Sequence, residues 1–275
     1  MPIYNIPVNL LNAYREKDVI VRAGNVADLI ALVGRISLKN MEAVELIGIP
    51  ADIELLSQLD EHVEVDLVLQ DGERELTRLE ALRESGVAED IQIVVPVAPG
   101  FGEAAKLACR LGYPVKLNIG ALDLLDVEEN LDLVNFYLHT PDLEEPLEFF
   151  HSFAQALFNE EALTMWDIMD ENPAEVRYIT DQGNEVLSRR LTHMPVTGDM
   201  SDFLDRRKLQ LLRERGECSQ CRFFVNCNGY FKLPNPEFSC DGVKRIFGTL
   251  KEAVKKLQED VDKFYDEFEE GPEKG

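Results

Sequence analysis

The chain has 275 residues, 45% of them hydrophobic and 29% charged, with a formal charge of −24 at pH 7. Such a surface repels phosphates, so nucleic acid is excluded as a partner; the charge suits a basic protein or peptide, or simply solubility. No apolar run approaches the ~18 residues of a membrane span, no basic-then-apolar leader opens the chain, and five cysteines are too few for a disulfide-stapled secreted protein, so a cytoplasmic setting with reduced thiols is expected.

Between residue 19 and about residue 120, helical and strand signals alternate. Val26, Leu29, Ile30 and Val33 mark a helix face, and Ala43 to Ile49 reads as a strand. A helix through Ile53, Leu55, Leu56 and Leu59 precedes the strand Val63 to Leu69. Leu76, Leu79 and Leu82 mark the next helix, which Gly86 stops; Ile91 to Val97 is a third strand. A helix from Ala104 to Leu111 ends at Gly112, and Pro114 to Ile119 is a fourth strand. Strands and helices alternating at this length imply an α/β fold with a parallel sheet, either open or a partial barrel. Residues 126 to 170 are helical and acidic, with a break at Thr140-Pro141 and then a stripe of Phe149, Phe150, Phe153, Leu157 and Phe158, which reads as core. A short strand over Val176 to Ile179 leads into the turn Asp181-Gln182-Gly183-Asn184. Thr249 and Glu252 have capping-box spacing before a long amphipathic helix carrying Leu250, Val254, Leu257, Val261, Phe264 and Phe268, expected to pack on its own domain. The tail from Glu269 to Gly275 reads as disordered.

The strongest chemical signal is Cys218-x2-Cys221-x5-Cys227 followed by Cys240, in a stretch rich in turn formers. Four thiolates converging on one point are the usual complement of an iron–sulfur cluster or a structural zinc. The alternative is a set of unconnected thiols or a disulfide pair.

These cysteines, with Asn228-Gly229-Tyr230, resemble the SPASM domain that ends many radical SAM enzymes acting on peptides and proteins. That family's pattern is C-x9–15-G-x4-C, a gap, C-x2-C-x5-C-x3-C, a gap and a last C, and it holds two auxiliary [4Fe–4S] clusters. Tyr178 to Leu187 resembles the hairpin before the family's first cysteine. In that alignment Ser188, Phe203 and Phe231 stand at three ligand positions while keeping the spacing, with Gly198 at the family's glycine. The resemblance assigns those three positions to the first auxiliary cluster and Cys218, Cys221, Cys227 and Cys240 to the second. It therefore implies one cluster lost whole and one [4Fe–4S] cluster retained, with zinc as the alternative. Phenylalanine cannot ligate iron, and a serine hydroxyl is a poor substitute for thiolate.

The α/β region would then correspond to a degenerate radical SAM partial barrel. The family's radical-forming cluster needs C-x3-C-x2-C near the first strand, and the only cysteine before position 218 is Cys109. The family's GGEP-like turn after its second strand is matched by Leu46-Ile47-Gly48-Ile49-Pro50, without the acidic residue. Radical SAM catalysis is therefore not expected. Stand-alone chains of this kind resemble the GeoRSP system SPASM domain proteins, which are encoded beside a radical SAM/SPASM enzyme and a PqqD-like peptide carrier. The expected organisation is a degenerate radical SAM-like domain over 1–172, a SPASM-like iron–sulfur region over 173–248, and a C-terminal helix and tail over 249–275. The implied role is a non-catalytic iron–sulfur accessory subunit that docks a partner enzyme or its peptide; the alternative is a zinc-stabilised interaction module.

Cys109, among alanines and leucines, reads as a buried small residue. His62, His139, His151 and His193 show no metal spacing, and Asp126, Glu128, Glu129 and Asp132 read as a solvated acidic face, open to a basic peptide. No P-loop, G-x-S-x-G or G-x-G-x-x-G is present.

Overall fold

The strands of this chain carry apolar residues on one side and charged ones on the other, and both patterns persist in the folded sheet. The computed structural model describes residues 1–33, 40–59, 63–86, 91–120, 122, 125–194 and 198–269. Its elements in chain order are β1 (Ile3–Pro7), α1 (Leu11–Tyr14), β2 (Val19–Ala23), α2 (Val26–Val33), β3 (Met41–Ile47), β4 (Glu64–Val68), α3 (Gly72–Glu84), β5 (Ile91–Pro96), α4 (Phe101–Arg110), β6 (Val115–Asn118) and α5 (Val127–His139). Then follow β7 (Leu147–Glu148), α6 (Phe150–Phe158), α7 (Met165–Ile168), β8 (Val176–Ile179), β9 (Glu185–Val186), α8 (Phe203–Arg213), α9 (Phe224–Cys227) and α10 (Asp241–Glu269). His62, residues 270–275, and the side chains of Val33 and Phe268 lie outside what is described.

Among the described residues the nine strands form one sheet in the order β7-β6-β5-β4-β3-β2-β1-β8-β9. All pairings are parallel except β8 with β9. The sheet ends at β7 and β9, which do not pair with each other, so it is an open, partial-barrel-like α/β architecture with flanking helices. The hairpin over residues 176–186 belongs to this sheet: β8 lies beside β1, with Ile3 opposite Val176.

Val44, Leu46, Val65, Leu67, Ile93, Val95, Val115 and Leu117 are buried, as are Leu79 and Leu82 of α3 and Ala104, Ala105, Ala108 and Cys109 of α4. Alanines on α4 let the helix approach the sheet closely. The opposite face differs. The register sets Arg22 beside Glu45, Glu45 beside Asp66, and Asp66 beside Gln92, while Lys116 lies between Val94 and Glu148. Parallel strands are usually apolar on both faces, and this row of charges is why β1 and β2, interrupted by Asn5 and Arg22, gave no clear strand signal.

Two expectations change. The segment Ile53–Gln58 forms 3-10 turns rather than an α-helix. The last helix begins at Asp241, and Thr249 lies inside it, its hydroxyl donating to the Arg245 carbonyl at 3.2 Å. That early start is possible because Gly242 meets α5: a Cβ there would come 2.2 Å from Val127 Cγ2. The acidic face of α5 is solvated, as expected, and its carboxylates also serve the fold. Asp126 caps its own helix by accepting from the Glu128 and Glu129 N–H groups, Glu129 accepts from Gly102 N–H at 2.7 Å, and Glu128 pairs with Arg245. The phenylalanine stripe is core, Phe153 stacking on Phe247 of α10 with ring centroids 4.0 Å apart.

Candidate metal centre

The four cysteines sit on short elements that bend the chain around one point. Cys218 lies in a 3-10 turn (Glu217–Gln220) and Cys221 ends it, its N–H donating to the Cys218 carbonyl at 3.2 Å. Cys227 is the last residue of α9, and Cys240 immediately precedes α10, its carbonyl accepting from Lys244 N–H at 2.8 Å. After Cys227 the chain reverses through two left-handed residues, Asn228 (φ 46°) and Gly229 (φ 74°). A Cβ on Gly229 would sit 2.3 Å from Leu211 Cδ1, so α8 leaves room only for glycine. The reversal returns Lys232 to the cysteines.

All four thiols line one small cavity, walled by Phe223, Phe224, Val243 and Phe247 and edged by Glu217, Lys232 and Lys244. Cys218, Cys227 and Cys240 are buried and Cys221 is half-buried. Burial pushes the Cys227 thiol up to about 11, against N–H groups of Phe231 and Gly229 directed at its sulfur. Burial raises Cys240 to about 12 and Cys218 by less, with Lys232 opposing both. Lys232 Nζ donates to Glu217 at 2.7 Å and to the Phe238 carbonyl, and Lys244 also pairs with Glu217. Burial alone would raise the Glu217 carboxyl; the hydrogen bonds from the two lysines outweigh it and hold it at about 2.

The donor set is all sulfur, with an ammonium and peptide N–H groups at hand to offset thiolate charge, so these residues fit a metal–thiolate group. Two kinds of group take four thiolates. Among the described residues no three His, Cys, Asp or Glu side chains meet closely enough to hold a single ion. One zinc draws four sulfurs to roughly 4 Å from one another at Zn–S bonds of ~2.3 Å. A four-iron cluster takes one thiolate at each corner and tolerates a wider frame.

The three other positions highlighted by the resemblance are not brought to one point. Phe203 and Phe231 belong to a packed aromatic group: Trp166 meets Phe203 and Tyr230 edge-on at 6.1 and 5.1 Å, and Tyr230 meets Phe231 at 5.2 Å. Arg190 lies 3.9 Å over the Tyr230 ring and 5.2 Å from Trp166, donating to Glu171 at 2.7 Å and to the Leu233 carbonyl at 2.6 Å. Ser188 opens instead onto the concave face of the sheet.

The turn matched to the GGEP-like motif follows β3, the third strand. Its backbone is satisfied from within the chain: buried Glu75 of α3 accepts from Ile49 N–H at 3.1 Å, Gln70 N–H at 2.6 Å and Asp71 N–H at 3.2 Å. Cys109 is buried in the core, and burial pushes its thiol up to about 12. His139 turns back onto the Asn135 carbonyl and His151 onto the Tyr137 hydroxyl. Sequence reading passed over Lys232 and the charged face of the sheet. Their signal was a lysine five residues after Cys227 and charges at alternate positions in Glu64-Val65-Asp66-Leu67 and Val115-Lys116-Leu117.

Compared with known proteins, the chain matches no family profile, no curated protein and no solved structure. Among the described residues no helix is long and apolar enough to cross a membrane.

Proposed function

We propose that Cys218, Cys221, Cys227 and Cys240 hold one [4Fe–4S] cluster, and that the chain is a non-catalytic iron–sulfur accessory subunit of a radical SAM peptide- or protein-modification system. The observation that carries this reading is the convergence of all four thiols on one cavity with a buried lysine beside it. Such a cluster, when bound, accepts or passes single electrons, or simply braces the fold. The chain's own residues supply four thiolates, one per iron, which leaves no ligand position open for substrate. Phe223 and Phe247 exclude water, and Lys232 and the N–H groups of Gly229 and Phe231 offset the anionic sulfurs. The resemblance supplies the system: a radical SAM/SPASM enzyme as partner, with a PqqD-like carrier or a substrate peptide. The surplus of 52 acidic over 28 basic residues suits a basic docking partner.

The test is anaerobic purification with iron, sulfide and zinc analysis. About four irons and four sulfides per chain, with a broad absorption near ~400 nm that dithionite bleaches, supports the reading. One zinc and no colour, after expression with ample iron, replaces it with a zinc-stabilised interaction module.

A further inference from the structure

The concave face of the sheet holds a second cavity, of about 100 Å³, separate from the cysteines and roofed by residues 169–171 and 187–189. Its polar lining is unevenly satisfied. Lys116 is committed to Asp170, and Arg189 to Glu45 and the Tyr178 hydroxyl. Three other groups have no such partner among the described residues. The Ser188 hydroxyl is buried and unpaired, and beside it the half-buried Asp66 carboxyl and Asn118 side chain make no hydrogen bond or close ion pair. Buried polar groups are nearly always paired, and leaving one desolvated and unmade costs about 1–3 kcal/mol. The buried Ser188 hydroxyl, with an unpaired carboxyl and amide lining the same cavity, calls for a guest.

The chemistry of that guest follows from the lining. Glu45 is paired with Arg189, Asp170 with Lys116 and Glu171 with Arg190, which leaves Asp66 as the lining carboxylate without an ion pair among the described residues. Ile20, Val94, Val176 and Leu187 form apolar wall that strengthens any charge pairing inside. We propose that this pocket binds an aliphatic ammonium group, which donates to the Asp66 carboxylate and the Asn118 carbonyl oxygen, with an adjoining polar atom of the ligand meeting the Ser188 hydroxyl. Burial holds the Asp66 carboxyl up at about 7, ahead of the opposing pull of Lys116, and a bound cation would relieve that cost. The ammonium can belong to a free small amine or to a lysine side chain of a peptide. The proposal is independent of the cysteine site and stands or falls without it.

The experiment is titration of the full chain with n-butylammonium, n-butanol and butyrate, followed by backbone amide NMR and calorimetry. Saturable shifts at residues 66, 118 and 188 with butylammonium alone are expected. Asp66→Asn should weaken binding at least tenfold, Ser188→Ala severalfold, and Cys109→Ala not at all. If Asp66→Asn fails to fold, Asn118→Ala takes its place, with a severalfold loss expected. Equal binding of butanol, unchanged affinity in these variants, or no saturable shift overturns the proposal. A capped Gly-Lys-Gly peptide binding more tightly than butylammonium identifies a protein side chain as the source; weaker binding identifies a free amine. Both support the site.

Discussion

Two neighbouring parts of the C-terminal half solve the same packing problem in opposite ways. Around Trp166 and Tyr230 the space is filled by the chain itself: rings meet edge-on, Arg190 lies over two of them, and Glu171 accepts from Arg190 and the Tyr230 hydroxyl. Around Cys218 and Cys227 the walls are similarly aromatic, but four thiols and a lysine surround a cavity. The first region needs nothing added. The second leaves four thiols around a space, and that space is where the proposed cluster would sit. If the resemblance holds, the first marks where a metal group was replaced by side chains and the second where one was kept.

The contrast can be broken by substitution. The largest effect is expected for Cys227→Ala: iron content per chain falls to background, and the stability that metal confers disappears, whereas Cys109→Ala retains both. Metal analysis and denaturation of the two variants together check this, and equal metal loss in both would sink the ligand assignment. Next is Trp166→Ala, which removes a fully buried ring and its hydrogen bond to the Asn228 carbonyl. It should cost about 3–5 kcal/mol with or without metal. A loss seen only in the metal-loaded form would show that the aromatic group serves the metal site rather than packing by itself.

Gly229→Ala forces a Cβ into Leu211 at a left-handed position and should cost about 1–3 kcal/mol. Because the reversal aims Lys232 and two N–H groups at the sulfurs, metal retention should drop with it, measured as iron lost on gel filtration. The smallest effect is on the concave face. Folding raises the Asp66 carboxyl to about 7, so its favourable contribution is full below pH ~4 and is lost as pH rises through 7. Asp66→Asn should therefore stabilise the chain at pH 8, by about 1–2 kcal/mol after allowance for partial exposure, and the gain should vanish at pH 4. Urea melts at the two pH values decide it. A variant that gains stability while losing butylammonium binding is what a residue kept for a ligand predicts.

Much of the architecture was legible because its signals are local. Apolar runs such as Ile91 to Val95 and stops such as Gly86 and Gly112 place strands and helices without knowledge of their neighbours. β1 and β2 were hidden for a tertiary reason: Asn5 and Arg22 break the apolar pattern, and only the facing Glu45, the Ile179 carbonyl and the Tyr178 ring make those polar residues acceptable there. The false capping box at Thr249 has a similar cause, since contact with α5 and α6 lets the helix start at Asp241. Around the cysteines, spacing singled out four thiols that the fold brings to one cavity, while nothing local marked Lys232 or Glu217 as their neighbours.

The sequence by itself determined the alternation of strands and helices, the identity of the four thiols and the absence of a cysteine triad near the first strands, because each is carried by residue type and short-range spacing. Only the tertiary structure decided that the hairpin at 176–186 joins the main sheet, that Phe203 and Phe231 are packed through Trp166 and Tyr230, and that Asp66, Asn118 and Ser188 face one cavity. Those facts depend on strand register and on which helix covers which face, and contacts between residues as distant as 66 and 188 leave no periodic trace in the chain.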